Sequence, residues 1–132
     1  KIDDKDGRGQ LWKSLLSTSI ATYALKYSID KTRPNGDCCE SFPSGHTSIA
    51  FSGATFLDKR YGHKIGIPAY IMASFVGYSR VNAKKHYWED VVAGAAIGYS
   101  LTSFYTRLQT KIYFSPYISS AEYGVFLLIV IN

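Results

Sequence analysis

The sequence predicts an all-α fold, a transmembrane bundle of four to five helices. Apolar residues recur at helical spacing along the chain, and no clear two-residue alternation typical of strands appears. Charged residues make up only 19% of the chain and hydrophobic residues 46%, whereas about a quarter of a soluble domain is usually charged. Gly94 and Gly98 are four residues apart, a spacing typical of closely packed membrane helices.

The elements follow one another with clear breaks. Residues 1–10 are polar and predict a flexible entry, and proline, asparagine and glycine mark a loop over residues 30–41. Residues 59–66 predict a basic turn, and 125–131 form an apolar run that is a candidate fifth helix. The four main helices are predicted at residues 11–29, 44–58, 67–78 and 86–107.

A chain of 132 residues has the size of one domain, so we assign residues 1–132 to a single domain. It begins at Lys1 rather than at a methionine. We therefore expect a fragment of a longer protein. The sequence does not indicate an oligomeric state.

A membrane location is favoured over a soluble bundle, although the apolar helix centres are shorter than the roughly 20 residues that a span needs. Tyrosine and tryptophan cluster near the helix ends, and the helix centres are uncharged. If the helices alternate in direction, one face collects cations, which mark the cytoplasmic side: Arg8, Lys13, Lys59, Arg60, Lys64, Arg107 and Lys111. We expect an integral protein of a bacterial cytoplasmic membrane, with its active site on the extracytoplasmic face.

The net charge of +5 is compatible with nucleic acid, an anionic membrane surface or an anionic substrate. No nucleic-acid-binding motif is present, and the cations do not lie on one periodic face. The sequence therefore predicts a membrane bilayer and an anionic substrate as partners, and no nucleic acid.

The stretch Pro43-Ser44-Gly45-His46 precedes a helical run. Ser44 can cap this helix, and the free amides at its start, including that of Gly45, attract an anion. His46 can carry a proton to or from that anion. This stretch predicts an oxyanion site with an acid or base beside it.

Two further segments offer cations and a nucleophile. Lys26 and Arg33 flank one segment, and Arg80, His86 and Asp90 lie in the other. His86 and Asp90 are four apart, so on a helix they would share a face, as a carboxylate that orients an imidazole would. Taken singly, Lys26 and Arg33 fit a solvated helix end and a loop charge, and His86 fits a structural histidine. Three histidines with one carboxylate partner would be a poor set of metal ligands.

Together these segments resemble the three-part signature of the type 2 phosphatidic acid phosphatase superfamily, whose related members include class A bacterial acid phosphatases and vanadium haloperoxidases. The first part is Lys-x6-Arg-Pro, the second Pro-Ser-Gly-His and the third Ser-Arg-x5-His-x3-Asp. Every defining residue is present: Lys26, Arg33, Pro34, Pro43, Ser44, Gly45, His46, Ser79, Arg80, His86 and Asp90. Only eight residues separate Pro34 from Pro43, whereas many members have a longer insert, so we expect an open pocket.

The resemblance implies the haloperoxidase-type helical core and a phosphatase of lipid phosphomonoesters or diphosphates, without metal or other cofactor. Membrane members of the family usually have about six spans, so the resemblance also implies that this fragment lacks N-terminal helices. By analogy, His86 attacks phosphorus and forms a phosphohistidine, Asp90 orients His86, and His46 protonates the leaving alcohol. The implied phosphate-binding residues are Lys26, Arg33, Ser44, Gly45 and Arg80.

Three alternatives remain open: a lipid phosphotransferase that uses the same site, a vanadium-dependent haloperoxidase, and a membrane protein that retains the motif without activity. Other polar residues receive weaker interpretations. Lys84 and Lys85 are expected at the surface, with a lipid headgroup as the alternative, and His63 is expected at the opposite end of the bundle. Glu89 receives no role.

Overall fold

The computed structural model describes residues 5–107, 111–119 and 122–130. Its helices are α1 (Lys5–Ser28), α2 (Gly45–Tyr61), α3 (His63–Asn82) and α4 (Trp88–Arg107). Strands β1 (Lys111–Ser119) and β2 (Glu122–Val130) pair as an antiparallel hairpin, with Tyr113 opposite Leu128. The prediction of four helices in this order is confirmed.

The C-terminal part of the described chain forms this hairpin rather than a fifth helix. The candidate fifth helix at residues 125–131 lies in β2 up to Val130, and Ile131 lies outside the described residues. Periodicity cannot separate a helix from a strand in so short an apolar run, and valine, isoleucine and phenylalanine favour strands.

Helices α1, α2 and α3 are longer than predicted, whereas α4 begins two residues later than predicted, at Trp88. Helix α1 begins at Lys5, inside the segment expected to be a flexible entry. Helix α2 continues to Tyr61, inside the predicted basic turn, and α3 begins at His63, so only Gly62 separates them. The φ of Gly62 is 93°, a left-handed conformation that glycine adopts without steric cost and that commonly ends a helix.

Close packing of α4 on α2 sets the position of both helix starts. A Cβ atom on Gly94 would collide with the Ser44 carbonyl oxygen, and one on Gly98 would collide with the Ser48 carbonyl oxygen. The Ser44 amide also donates to the Asp90 carbonyl, at 2.9 Å. The close approach predicted from the two glycines is confirmed, and it brings the starts of α2 and α4 to one end of the bundle.

The interior between the helices is polar, and many large apolar side chains face outwards. Fully buried hydroxyl side chains include Ser14, Thr18, Thr22, Thr47, Ser48, Ser52, Thr55 and Thr102. Exposed apolar side chains include Trp12, Leu16, Ile20, Ile67, Ile71, Phe75 and Phe104. Among the described residues, no helix combines the length and the apolar character needed to cross a bilayer; the transmembrane part of the prediction is therefore not confirmed.

Candidate active site

A cavity of about 300 Å³ opens at the end of the bundle where α2 and α4 begin. Six of the predicted site residues line it: Lys26, Arg33, Gly45, His46, Arg80 and His86. The other two, Ser44 and Asp90, are fully buried and are not among the lining residues. The structure thus brings the three sequence segments together around one space.

Lys26 lies in the last turn of α1 and is 7% exposed. Its Nζ donates to the carbonyl oxygens of Glu40, at 2.7 Å, and Pro43, at 3.1 Å. These bonds tie the end of α1 to the loop that leads into α2. They fix an ammonium group at the wall of the cavity and also hold the loop in place.

The two arginines reach the cavity from different elements. Arg33 lies in the loop, in a turn closed by a 2.9 Å bond from the Gly36 amide to its carbonyl. Arg80 lies in the last turn of α3, and its Nε is buried without a hydrogen-bond partner among the described residues. Since a buried guanidinium donor is costly to leave unpaired, Arg80 is suited to bind an anion in the cavity.

His86 is 4% exposed and is held by one strong backbone contact. Its Nδ1 lies 2.6 Å from the Ser41 carbonyl oxygen. A carbonyl oxygen can only accept, so Nδ1 carries the proton and Nε2 keeps a free lone pair. Burial lowers the pKa of His86, the charges of Lys26 and Arg33 lower it further, and the Ser41 bond opposes them. The ring is therefore suited to act as a neutral nucleophile.

Asp90 does not orient His86 in the way that the four-residue spacing suggested. His86 precedes α4, so the two residues do not share a helix face. Asp90 Oδ2 lies 3.9 Å from His86 Nδ1, beyond hydrogen-bond distance. The structure thus places the two groups close together without a direct hydrogen bond, and the role of Asp90 in orienting His86 stays a prediction.

The Asp90 carboxylate instead accepts three other hydrogen bonds. Lys31 Nζ donates to Oδ1 at 2.6 Å, and the Tyr87 amide donates to Oδ2 at 2.8 Å. The Ser41 hydroxyl also donates to Oδ2, in a short bond between two buried groups. Asp90 thus connects the loop before α2 to the first turn of α4.

Lys31 and Ser41 were missed in the sequence. Lys31 falls at an unspecified position between Lys26 and Arg33, and Ser41 precedes the second motif. They become neighbours because the Lys31 amide donates to the Cys39 carbonyl at 3.3 Å, and the Ser41 amide to the Lys31 carbonyl at 3.0 Å. No sequence pattern signals this loop conformation.

Ser44 occupies the N-cap position of α2, as predicted, but its side chain makes no capping hydrogen bond to the helix backbone. Its Oγ lies 2.9 Å from Thr47 Oγ1. Gly45 and His46 form the first turn of α2 and line the cavity. The unpaired amides and positive dipole of this helix start favour an anion there.

The remaining polar residues differ from expectation in part. Lys85 lines the cavity and lies 3.7 Å from Asp37, whereas the favoured expectation was a surface position away from substrate. Glu89, which received no role, binds Lys31 at 2.8 Å. His63 is exposed and lies 2.7 Å from Asp58 Oδ1, away from the cavity. Within the described part of the chain, no three His, Cys, Asp or Glu side chains group as metal ligands.

The chain belongs to the PAP2 superfamily, whose family model matches residues 9–114. This match covers α1 from Gly9 onwards, the other three helices and all three segments that line the cavity. The family resemblance inferred from the three motifs is therefore confirmed.

Several named relatives and one solved structure are similar to this chain. It is 37% identical to the lipid A 1-phosphatase of Porphyromonas gingivalis over 70% of this chain and 23% of that protein. It is 33% identical to the lipid A 4'-phosphatase of Helicobacter pylori over 92% of this chain and 71% of that protein. The crystal structure of Aquifex aeolicus LpxE superposes with a TM-score of 0.74 and 26% identity, covering 80% of this chain and 70% of that chain.

The chain spans about a quarter of the length of some of these relatives. Its share is 23% for the Porphyromonas gingivalis protein and 27% for lipid phosphate phosphatase 1 of Arabidopsis thaliana, to which it is 39% identical. The matched part includes the helical core, and the TM-score supports the predicted fold for that core.

Proposed function

We propose that this protein is a metal-independent lipid phosphatase that works through a phosphohistidine on His86. The observation that carries the proposal is the buried His86 ring, whose Nδ1 donates to the Ser41 carbonyl at 2.6 Å. This contact leaves Nε2 unprotonated beside a cavity lined by Lys26, Arg33 and Arg80. A bare nitrogen next to three cations is suited to attack a phosphoryl group.

In the first step, the His86 Nε2 lone pair attacks phosphorus and forms a nitrogen–phosphorus bond. The bond from phosphorus to the lipid oxygen breaks, and its electron pair stays on that oxygen. His46, which lines the same cavity, donates a proton to this oxygen, so the lipid leaves as a neutral alcohol.

In the second step, neutral His46 accepts a proton from water while the water oxygen attacks phosphorus. The nitrogen–phosphorus bond breaks and returns its electron pair to Nε2 of His86. Inorganic phosphate is released, and both histidines regain their starting protonation states.

The cavity residues supply the positive charge that this reaction needs. In phosphoryl transfer, negative charge is spread over the three equatorial oxygens. Lys26, Arg33 and Arg80 would bind these oxygens, and the Gly45 amide at the start of α2 would add a neutral donor. Ser44 is buried and bonded to Thr47; in this proposal it completes the cradle by shaping the start of α2.

We propose a lipid phosphate as the substrate class, and lipid A phosphates as the first candidates. The named relatives include lipid A phosphatases and lipid phosphate phosphatases. Two exposed apolar side chains, Tyr23 and Ile49, also line the cavity. Further apolar residues of α1, Ile20 and Leu16, are exposed and would contact acyl chains.

We further propose that the bundle lies in a bacterial cytoplasmic membrane, with the cavity on the extracytoplasmic face. The supporting observation is the distribution of side chains, with hydroxyl groups buried between helices and large apolar groups exposed. Mean hydropathy averages over both faces of a helix, so buried hydroxyls lower it even where the outer face is apolar. Flotation with phospholipid vesicles after a carbonate wash tests this proposal, and recovery in the wash would contradict it.

Phosphate release from a panel of lipid phosphates tests the reaction. We expect His86→Ala to abolish turnover and His46→Ala to reduce it by about 10²–10⁴-fold. His63→Ala is the matched control because His63 is exposed and bonded to Asp58, so its rate should equal wild type. Adding a lipid alcohol acceptor and analysing the products separates hydrolysis from phosphotransfer. Wild-type turnover by His86→Ala would refute the mechanism.

A further inference from the structure

The contact that fixes His86 belongs to a chain of three hydrogen bonds that joins four residues. The Ser41 carbonyl accepts from His86 Nδ1, and the Ser41 hydroxyl donates to Asp90 Oδ2. Lys31 donates to the other oxygen, Asp90 Oδ1, at 2.6 Å. The carboxylate therefore reaches the histidine through Ser41 rather than directly.

We propose that Ser41 and Lys31 are positioning residues for the nucleophile: Lys31 holds the Asp90 carboxylate, Asp90 holds Ser41, and the Ser41 carbonyl fixes the ring of His86. This inference rests on the proposed role of His86 as the nucleophile. Ser41 and Lys31 would touch neither the substrate nor the transferred phosphoryl group, since neither lines the cavity.

Ser41 connects the loop before α2 to the segment around the start of α4, two parts of the chain that are far apart in the sequence. It is fully buried, and its hydroxyl and carbonyl act in different directions, the first on Asp90 and the second on His86. Because both groups belong to one residue, the bond of the hydroxyl to Asp90 restrains the backbone whose carbonyl receives the Nδ1 proton. The position and the tautomer of His86 therefore depend on the Ser41–Asp90 bond.

Lys31 is itself held on several sides. It binds Glu89 Oε1 at 2.8 Å on the exposed side and lies 4.7 Å from the centre of the Tyr87 ring. Burial alone would lower the pKa of Lys31, but its hydrogen bonds to Asp90 and Glu89 outweigh burial and raise that pKa. Lys31 is thus a permanent cation beside a carboxylate that is fully buried.

The ion pair of Lys31 and Asp90 also determines the electrostatic environment of His86. An unneutralised Asp90 carboxylate 3.9 Å from Nδ1 would favour the protonated imidazolium, which cannot attack phosphorus. Lys31 offsets this charge while leaving Ser41 as the direct partner. The charged groups near His86 lie on every element around it: Lys26 on α1, Lys31, Arg33 and Glu40 on the loop, His46 on α2, Arg80 on α3, Lys85 in the link and Asp90 on α4.

The test compares Lys31→Met, Lys31→Arg, Ser41→Ala and Glu89→Gln in detergent micelles that contain a short-chain phosphatidate. We expect Lys31→Met and Ser41→Ala to lower kcat by about ten- to a hundredfold, the effect of misplacing a reacting group by about 1 Å. Substrate binding does not involve these residues, so KM should stay within about twofold. Lys31→Arg should restore most of the rate.

The pH profile separates positioning from a general loss of structure. Removing the Lys31 charge leaves the negative charge of Asp90 unbalanced, and this charge should raise the pKa of His86. The acidic limb of the plot of kcat against pH should therefore move upwards by about 0.5–1 pH unit. Glu89→Gln is the matched control because it removes only the exposed partner of Lys31. Its kcat and acidic limb should equal those of wild type.

The outcomes are distinguishable from failure of the proposed function. Full activity in His86→Ala would refute the nucleophile and the inference together. An inactive His86→Ala, with wild-type kcat and acidic limb in Lys31→Met, would overturn the inference alone. Should Lys31→Met not fold, Ser41→Ala decides through the single-turnover rate of acid-labile phosphoenzyme formation: a slower rate supports the inference, and a wild-type rate overturns it.

Discussion

His86 Nδ1 lies 2.6 Å from the Ser41 carbonyl oxygen and 3.9 Å from Asp90 Oδ2. The histidine proton is therefore donated to a main-chain carbonyl. The buried carboxylate of Asp90 is connected to the histidine through Ser41. A neutral acceptor fixes the tautomer and favours the protonated ring less than a carboxylate in direct contact would. This arrangement is well suited to a nitrogen nucleophile that must remain unprotonated.

The pKa of His86 should lie below its usual value of 6.5, because burial and the charges of Lys26 and Arg33 disfavour the imidazolium. The neutral ring then persists to a lower pH than it would in a free imidazole. NMR titration of the ring Cε1–H, assigned with His86→Asn, measures this value directly. Titration above 6.5 would contradict the described environment.

Arg80 should contribute strongly to anion affinity, because its buried Nε has no partner among the described residues. Vanadate should compete with substrate, and Arg80→Lys should weaken its binding by about ten- to a hundredfold, since lysine cannot reproduce the planar two-point contact. Lys64→Met removes an exposed cation of α3 outside the cavity lining and serves as the control. Equal vanadate inhibition of Arg80→Lys and wild type would exclude Arg80 from the anion site.

Gly94→Ala should destabilise the protein by about 1–3 kcal/mol, the usual cost of overpacking. Its new methyl group would meet the Ser44 carbonyl and push the start of α2 away from α4, so activity should fall as well. Gly53→Ala is the matched control: it lies within α2 with no atom near the new Cβ and should add about 0.5–1 kcal/mol of helix stability. Thermal melts in detergent measure both, and a wild-type melting temperature for Gly94→Ala would contradict the close contact.

Chelation should leave the reaction rate unchanged. Lys26, Arg33 and Arg80 line the cavity and can balance the phosphoryl charge that magnesium balances in other enzymes. Phosphate release is measured after dialysis against EDTA, with and without added Mg²⁺. Activity that disappears on chelation and returns with the metal would overturn the metal-independent mechanism.

The four helices could be predicted because apolar residues recur at helical spacing along each of them. The positions of their ends could not be predicted in this way. The sequence suggested that α1 begins near Leu11, yet the polar residues from Lys5 onwards continue the helix. The apolar run in β2 was ambiguous because a short segment satisfies either period. The largest difference lies at His86, which precedes α4 although its spacing to Asp90 fits a helix face.

The motif residues could be found from the sequence alone because each group is local: a proline, a glycine and a histidine at a helix start, or a cation and a histidine in one short segment. Their spacing established the family, which the match over residues 9–114 confirms. Lys31 and Ser41 could be placed only by the tertiary structure. Lys31 and Asp90 are 59 residues apart, and Ser41 and His86 are 45 apart. Such contacts depend on how the loop folds against α4, which no local pattern encodes.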